Sequence, residues 1–354
     1  MDTTEFMLNL NRQLLKERQL AETTVNAYLK VLYQLNGKKA FKNLTFLKKT
    51  EEIDEKIKEY APSTQKSIRG SLVGVLSLVK DKPSFKKAYQ HYKTGMEEGR
   101  KEEEAKIQSG EKTEKQEKNW MEWAEVQKVK TDLGDKLVPF ANKKSATPEQ
   151  YETLLQFLIL SLYTDIQPRR NQDYLDMYIV KKWNEKLPTD KNYYDLSTNR
   201  FIFNKYKTMK TYGIQIEEVK EPLVATIHLF LKFHPLWKGV VKRQNNPIKL
   251  LALADGTPMV AVNGITRILN KVFGKKVGSS MLRHSFLSSK YADVAEEMKG
   301  DASAMAHSTG VQRRYIKKNP RVVKKTQEPP VCPSVSPSPG ESASSCDRVS
   351  SSPS

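Results

Sequence analysis

The stretch MEEGRKEEEAKIQSGEKTEKQEK, residues 96–118, has Met96 and Ile107 as its only large apolar side chains, so it cannot contribute a core of its own. On either side of it, apolar residues recur at helical or alternating spacing. The chain must therefore bury two separate cores, one before and one after this stretch. Its 354 residues are enough for two domains of ordinary size. The stretch reads as a solvated helix or as a charged linker, and the expectation is a linker.

Residues 1–95 read as a helical domain. TTEFMLNLNRQLLKERQL and TTVNAYLKVLYQL repeat apolar residues with a helical period, and their threonine pairs are candidate N-caps. EEIDEKIKEY and STQKSIRGSLVGVLSLVKD continue the pattern.

Residues 119–321 are mixed. TPEQYETLLQFLILSLYTDI predicts an apolar helix ending near Asp165, and VKEPLVATIHLFLKFH predicts another, with Pro222 in its first turn. Between them, NRFIFNKYKTMKTYGIQIEEV alternates on both sides of a Lys/Thr-rich centre, as a β-hairpin would. AVNGITRILNKVFGKK predicts a helix stopped by Gly274. The expected fold is mainly α with a small β-sheet. The Ser/Pro-rich tail, 322–354, has too little apolar content to order and is expected to be disordered.

Lys and Arg number 60 against 41 Asp and Glu, a formal charge of +19. Cations that meet phosphates release condensed counterions, so nucleic acid is the leading partner. A membrane partner is not expected: no run approaches the roughly 18 apolar residues of a spanning helix, and the N-terminus lacks the apolar core of a secretory signal. Cys332 and Cys346 both lie in the tail, and His91, His228, His234, His284 and His307 have no metal-ligand spacing, so no metal site is expected. No GxxxxGK[ST] loop is present, and no cofactor is expected.

Four segments are candidates for phosphate chemistry. In VGSSMLRHSF, Ser279 or Ser280 is a candidate N-cap that puts Arg283 in the first turn of a helix, where free amides and a guanidinium suit a phosphodiester. In GDASAMAHSTGVQRRYIKK, a small-residue helix reaches His307, STG makes a turn, and a second helix carries Tyr315 among Arg313, Arg314, Lys317 and Lys318. A phenol has a reference pKa of about 10, so it becomes nucleophilic only in cationic, hydrogen-bonded surroundings. YTDIQPRRNQDYLDM places Arg169 and Arg170 after a proline at the end of an apolar helix, and the hairpin centre NKYKTMKT offers Lys207 and Lys210. Each segment also has a plain reading, as a surface arginine, a half-buried tyrosine, a helix-end cap or a solvated turn.

Taken in chain order, an arginine at 169 or 170, a hairpin lysine, the LRHSF box, the AHS box and then Tyr315, with 24 positions from Arg283 to His307 and 32 from Arg283 to Tyr315, the segments resemble the tyrosine recombinase, or phage integrase, family. The resemblance implies a helical core-binding domain at 1–95 and an α+β catalytic domain at 119–321 that clamp duplex DNA, with the charged stretch crossing beside it. PRRNQDY and FNKYKTMKTYG are further similar to integrase-like recombinases of large DNA viruses and virophages. The family implies site-specific strand exchange by a homotetramer on two DNA sites, without metal or nucleotide. The implied location is intracellular, wherever the target DNA lies: the host nucleus or a viral factory if the chain is viral.

By the same resemblance Tyr315 is the nucleophile, leaving a 3′-phosphotyrosyl link and a free 5′-hydroxyl, and Arg283 and His307 donate to the phosphate oxygens. The first arginine is Arg170, which has Asp173 three positions on, or else Arg169. The lysine that protonates the leaving oxygen is Lys207, with Lys210 in reserve. Arg313, Arg314, Lys317 and Lys318 are DNA-contacting candidates. The family has His or Lys where this chain has Ser280, a poor proton acceptor, and His284 is a further candidate on the same helix. Two rivals share these features: type IB topoisomerase-like relaxation, and a DNA-binding descendant without activity. RNA binding lacks any RNP-type motif.

Overall fold

The computed structural model describes residues 3–140, 142–237 and 247–317. Lys318 and the tail at 322–354 lie outside these. The described chain is mainly helical with one small five-stranded mixed sheet, and it divides into two compact units, residues 1–119 and 120–354.

The first unit contains α1 (Glu5–Lys16), α2 (Glu22–Leu35), α3 (Thr50–Lys58), α4 (Pro62–Leu76), α5 (Pro83–Ser109) and α6 (Glu114–Asn119). Thr4 caps α1 by accepting from the Met7 amide, as its position predicts. The second threonine pair does not cap: Thr23 and Thr24 lie inside α2, and Ala21 takes the cap position. Leu14, Leu32, Leu47, Leu72 and Tyr92 are fully buried together, and the Tyr92 hydroxyl donates to the Leu47 carbonyl at 2.9 Å.

The charged stretch is largely helical where an irregular linker was expected, because α5 runs on through it to Ser109. Lys93–Glu97 at 3.8 Å and Arg100–Glu104 at 3.0 Å pair one turn apart along its exposed surface. Gly110, at φ 74°, ends it in a left-handed conformation that glycine adopts without a Cβ clash.

In the second unit, α7 (Trp123–Asp135) precedes α8 (Pro148–Thr164), whose Thr147–Gln150 capping box fixes its start. α8 buries residues on all sides, from Tyr151 through Leu155, Leu158 and Ile159 to Tyr163, and is the central rod of the core. After it come α9 (Asn171–Leu175), β1 (Met177–Val180), β2 (Asn192–Asp195), β3 (Arg200–Phe203), α10 (Met209–Tyr212), β4 (Gln215–Glu218), α11 (Leu223–Phe233), β5 (Ile248–Lys249) and α12 (Val262–Phe273).

The sheet order is β4-β3-β2-β1-β5, with β1 and β2 parallel and the other pairs antiparallel. β3 and β4 form the hairpin expected from alternation, paired from Arg200↔Glu218 to Phe203↔Gln215, and its Lys/Thr-rich centre coils into the one-turn α10. Pro222 sits at the cap position of α11, just before the first turn where it was expected. Gly274 ends α12 at φ 62°, where the sequence predicts the stop.

The last two helices are α13 (Ser279–Ala304) and α14 (Thr309–Tyr315). Gly278, and neither Ser279 nor Ser280, occupies the α13 cap position, so Arg283 falls at the start of the second turn and its Nε donates to the Ser279 carbonyl at 3.3 Å. α13 continues for 26 residues, about 39 Å at 1.5 Å per residue. From Ser289 to Asp301 every residue except Met298 is exposed. No helix among the described residues is long and apolar enough to cross a membrane.

Candidate active site

α8 ends in Thr164, and Pro168 lies in the extended segment that turns the chain into α9. Three buried side chains hold this turn. The Tyr163 hydroxyl donates to Asn171 Oδ1 at 2.8 Å, Asn171 Nδ2 donates to Thr266 Oγ1 of α12 at 2.9 Å, and the Tyr174 hydroxyl donates to the Leu162 carbonyl at 2.9 Å. Asn192 joins the turn to the hairpin: its Nδ2 donates to the Asp173 carbonyl at 2.8 Å and to the Lys205 carbonyl at 2.9 Å, and its Oδ1 accepts from the Lys205 amide at 2.8 Å. Polar atoms buried this deeply keep their place because leaving them unpaired costs about 1–3 kcal/mol each.

This framework encloses a cleft of about 250 Å³. One wall is Pro168, Arg169, Arg170 and Asp173; another is Tyr206, Thr208 and Tyr212 of the hairpin loop; Arg283 of α13 closes it. The three arginines differ in their commitments. Arg169 pairs with Asp173 at 3.0 Å, bonds Gln215 at 2.9 Å and Glu217 at 3.2 Å, and lies 3.7 Å over the Phe203 ring. It is a strut between α9 and the hairpin. The carboxylate expected to serve Arg170 therefore pairs with Arg169, one helical turn away, while Arg170 contributes its carbonyl to the Asp173 amide at 3.0 Å. Among the described residues the Arg170 guanidinium has no ion pair or hydrogen bond.

Arg283 is half-buried, and its pKa lies below the usual guanidinium value, first because burial removes water and next because Arg170 repels it. Asp173 is pushed upward by burial, an effect that Arg169 opposes. Two cations pressed together in a small cleft favour an oxyanion with two acceptor oxygens, and a phosphodiester has that form.

The remaining expected residues do not line this cleft. Lys207 and Lys210 are exposed on the hairpin loop beside it, and Ser280 and His284 are exposed near the start of α13. His307 and Tyr315 are together, with ring centroids 5.9 Å apart and planes at 24°. Ser308 caps α14 by accepting from the Val311 amide, which supports the tyrosine's short helix. This pair stands beyond the far end of α13, with about 30 Å of helix between Arg283 and Ala304. Tyr315 is 72% exposed, and Arg313, Arg314 and Lys317 are exposed around it. The structure thus makes two half-sites, an arginine cleft and a tyrosine–histidine stack, and does not join them within the chain.

The residues missed by sequence reasoning are Asn171, Asn192, Tyr163 and Gln215. Their signal was weak, being polar groups inside otherwise apolar or alternating segments. Among the described residues no cluster of three or more His, Cys, Asp or Glu is arranged to hold a metal ion.

No family model matches the chain, and no curated protein matches its sequence. Among solved structures, that of XerA recombinase aligns with 90% of this chain and 95% of its own at 10% identity, with a TM-score of 0.31. At that score the likeness carries no argument.

Proposed function

We propose that this chain cleaves and rejoins DNA strands through a tyrosine ester, the chemistry implied by its resemblance to tyrosine recombinases. One observation carries the reading: Arg170 and Arg283, 113 positions apart in sequence, meet in one cleft whose carboxylate is already taken by Arg169. Phosphoryl transfer depends mainly on positioning and on charge stabilisation at the equatorial oxygens, and these two guanidinium groups are suited to it. The Tyr315 hydroxyl loses its proton to solvent as its oxygen attacks phosphorus, the phosphorus–5′-oxygen bond breaks, and the 5′-oxygen takes a proton from Lys207, with Lys210 as the alternative donor. His307 adds a hydrogen bond to a non-bridging oxygen. The ester retains the bond energy, so a second 5′-hydroxyl can reverse the step and join a new partner. On two DNA sites the acting species would be a homotetramer.

A second reading, DNA binding without cleavage, draws on the distance between Tyr315 and the arginine cleft and on Ser280 in place of a stronger base. Incubation with nicked duplex substrates, followed by a denaturing gel, separates the two. The proposed function expects a covalent protein–DNA adduct that is absent with Tyr315→Phe. Salt-sensitive binding with no adduct on any substrate supports the second reading.

A further inference from the structure

The exposed part of α13 carries a stripe of apolar side chains at spacings of four, three and four: Leu287, Tyr291, Val294 and Met298. The first three are 50%, 48% and 50% exposed. This alternation matches the seam spacing of a two-helix coiled coil, and among the described residues Leu287, Tyr291 and Val294 stay about half exposed on it, while Met298 is partly covered. Lys290 and Glu297 flank the stripe seven residues apart, on the same side. The chain beyond Lys317 is a poor cover for it, since residues 324–354 contain no leucine, isoleucine, methionine or aromatic residue.

We infer that the stripe pairs with the same stripe of a second copy, antiparallel, and that this pairing completes the active site. The charge pattern selects the partner and the direction. With Tyr291 interleaved against the partner's Val294, Leu287 meets the partner's Met298, and Lys290 faces the partner's Glu297 at both ends of the contact. A parallel pair would instead face Lys290 toward the partner's Ala295 and Glu297 toward the partner's Ala302, and would form neither ion pair. The antiparallel register also lays the start of one α13 alongside the end of the other. Arg283 then lies near the partner's Ala302, at the end that carries the partner's His307 and Tyr315. The two half-sites that one chain holds about 30 Å of helix apart are brought together between two chains.

Completion of the site rests on the proposed tyrosine chemistry, whereas pairing does not, so the two are read separately. Sedimentation of the full chain should show a dimer. Val294→Glu, at a half-exposed position that leaves the fold intact by circular dichroism, should weaken it roughly tenfold or more. Lys290→Glu should weaken it too, and Lys290→Glu with Glu297→Lys should restore it. A monomer at every concentration, or a dimer indifferent to these changes, overturns the pairing and gives the stripe another occupant.

Mixing Tyr315→Phe with Arg283→Ala, each inactive alone, tests completion. The expected result is an adduct on the Arg283→Ala chain, whose tyrosine enters the other copy's intact arginine cleft. If the wild type forms an adduct and the mixture does not, completion between chains is overturned. If the wild type forms none although the dimer responds as expected, the proposed function has failed and the pairing stands.

Discussion

The Arg169 Nε lies 3.0 Å from Asp173 Oδ2, and both side chains are nearly out of water, at 13% and 3% exposure. Breaking a buried pair strands one charge, so Arg169→Ala should cost about 3–5 kcal/mol of stability, measured by urea unfolding. The deficit should shrink on acidification. Burial already raises the Asp173 pKa, which means that the native state holds its proton more tightly than the unfolded chain and that stability falls as pH rises through that range. Removing Arg169 widens the window, and protonation then removes the stranded charge. A deficit that is the same at all pH values would separate the stability loss from this pair.

Arg170→Ala and Arg283→Ala should behave differently from Arg169→Ala. Neither guanidinium closes a buried ion pair among the described residues, so stability should change by about 1 kcal/mol or less. Affinity for duplex DNA should fall, and the slope of log K against log salt should lose about one unit for each phosphate contact removed. Unchanged salt slopes would remove the cleft from the DNA interface.

Tyr315→Phe should keep both fold and DNA affinity, because its side chain is 72% exposed and its ring remains available to stack on His307. A loss of binding as large as that in the arginine variants, in a fluorescence-anisotropy titration, would make Tyr315 a structural residue.

His234 is fully buried, and desolvation lowers its pKa from 6.5 to about 4. The unfolded chain therefore takes up a proton that the native state refuses between pH 6.5 and pH 4. Its contribution is present above that window and is lost as pH falls through it, by up to about 3 kcal/mol at 1.36 kcal/mol per unit. His234→Gln should flatten this part of the stability–pH curve. An unchanged curve would assign acid sensitivity elsewhere.

The sequence was most legible where local rules decide. The α1 cap at Thr4, the α12 stop at Gly274 and the β3–β4 hairpin follow from residue type and spacing over short distances. It was less legible in the charged stretch, where poor core-forming ability says nothing against a solvated helix with one-turn ion pairs such as Arg100–Glu104. Cap choice was also ambiguous at α2 and α13, because several small or polar residues are adjacent there.

From the sequence alone came the two-core organisation, the mainly helical class with a small sheet, and the candidate residues for phosphate chemistry, since composition and period depend only on the order of side chains. Tertiary structure decided which of those residues come together. Asp173 is equally available in sequence to Arg169 and Arg170, and only packing against Phe203, Gln215 and Glu217 commits Arg169 to it. Whether Arg283 and Tyr315 share a site depends on where a helix stops. SSMLRHSFLSSKYADVAEEMKGDASA has no proline, and Gly300 keeps helical backbone, so the hydrogen-bond ladder continues and holds the tyrosine away from its own arginines.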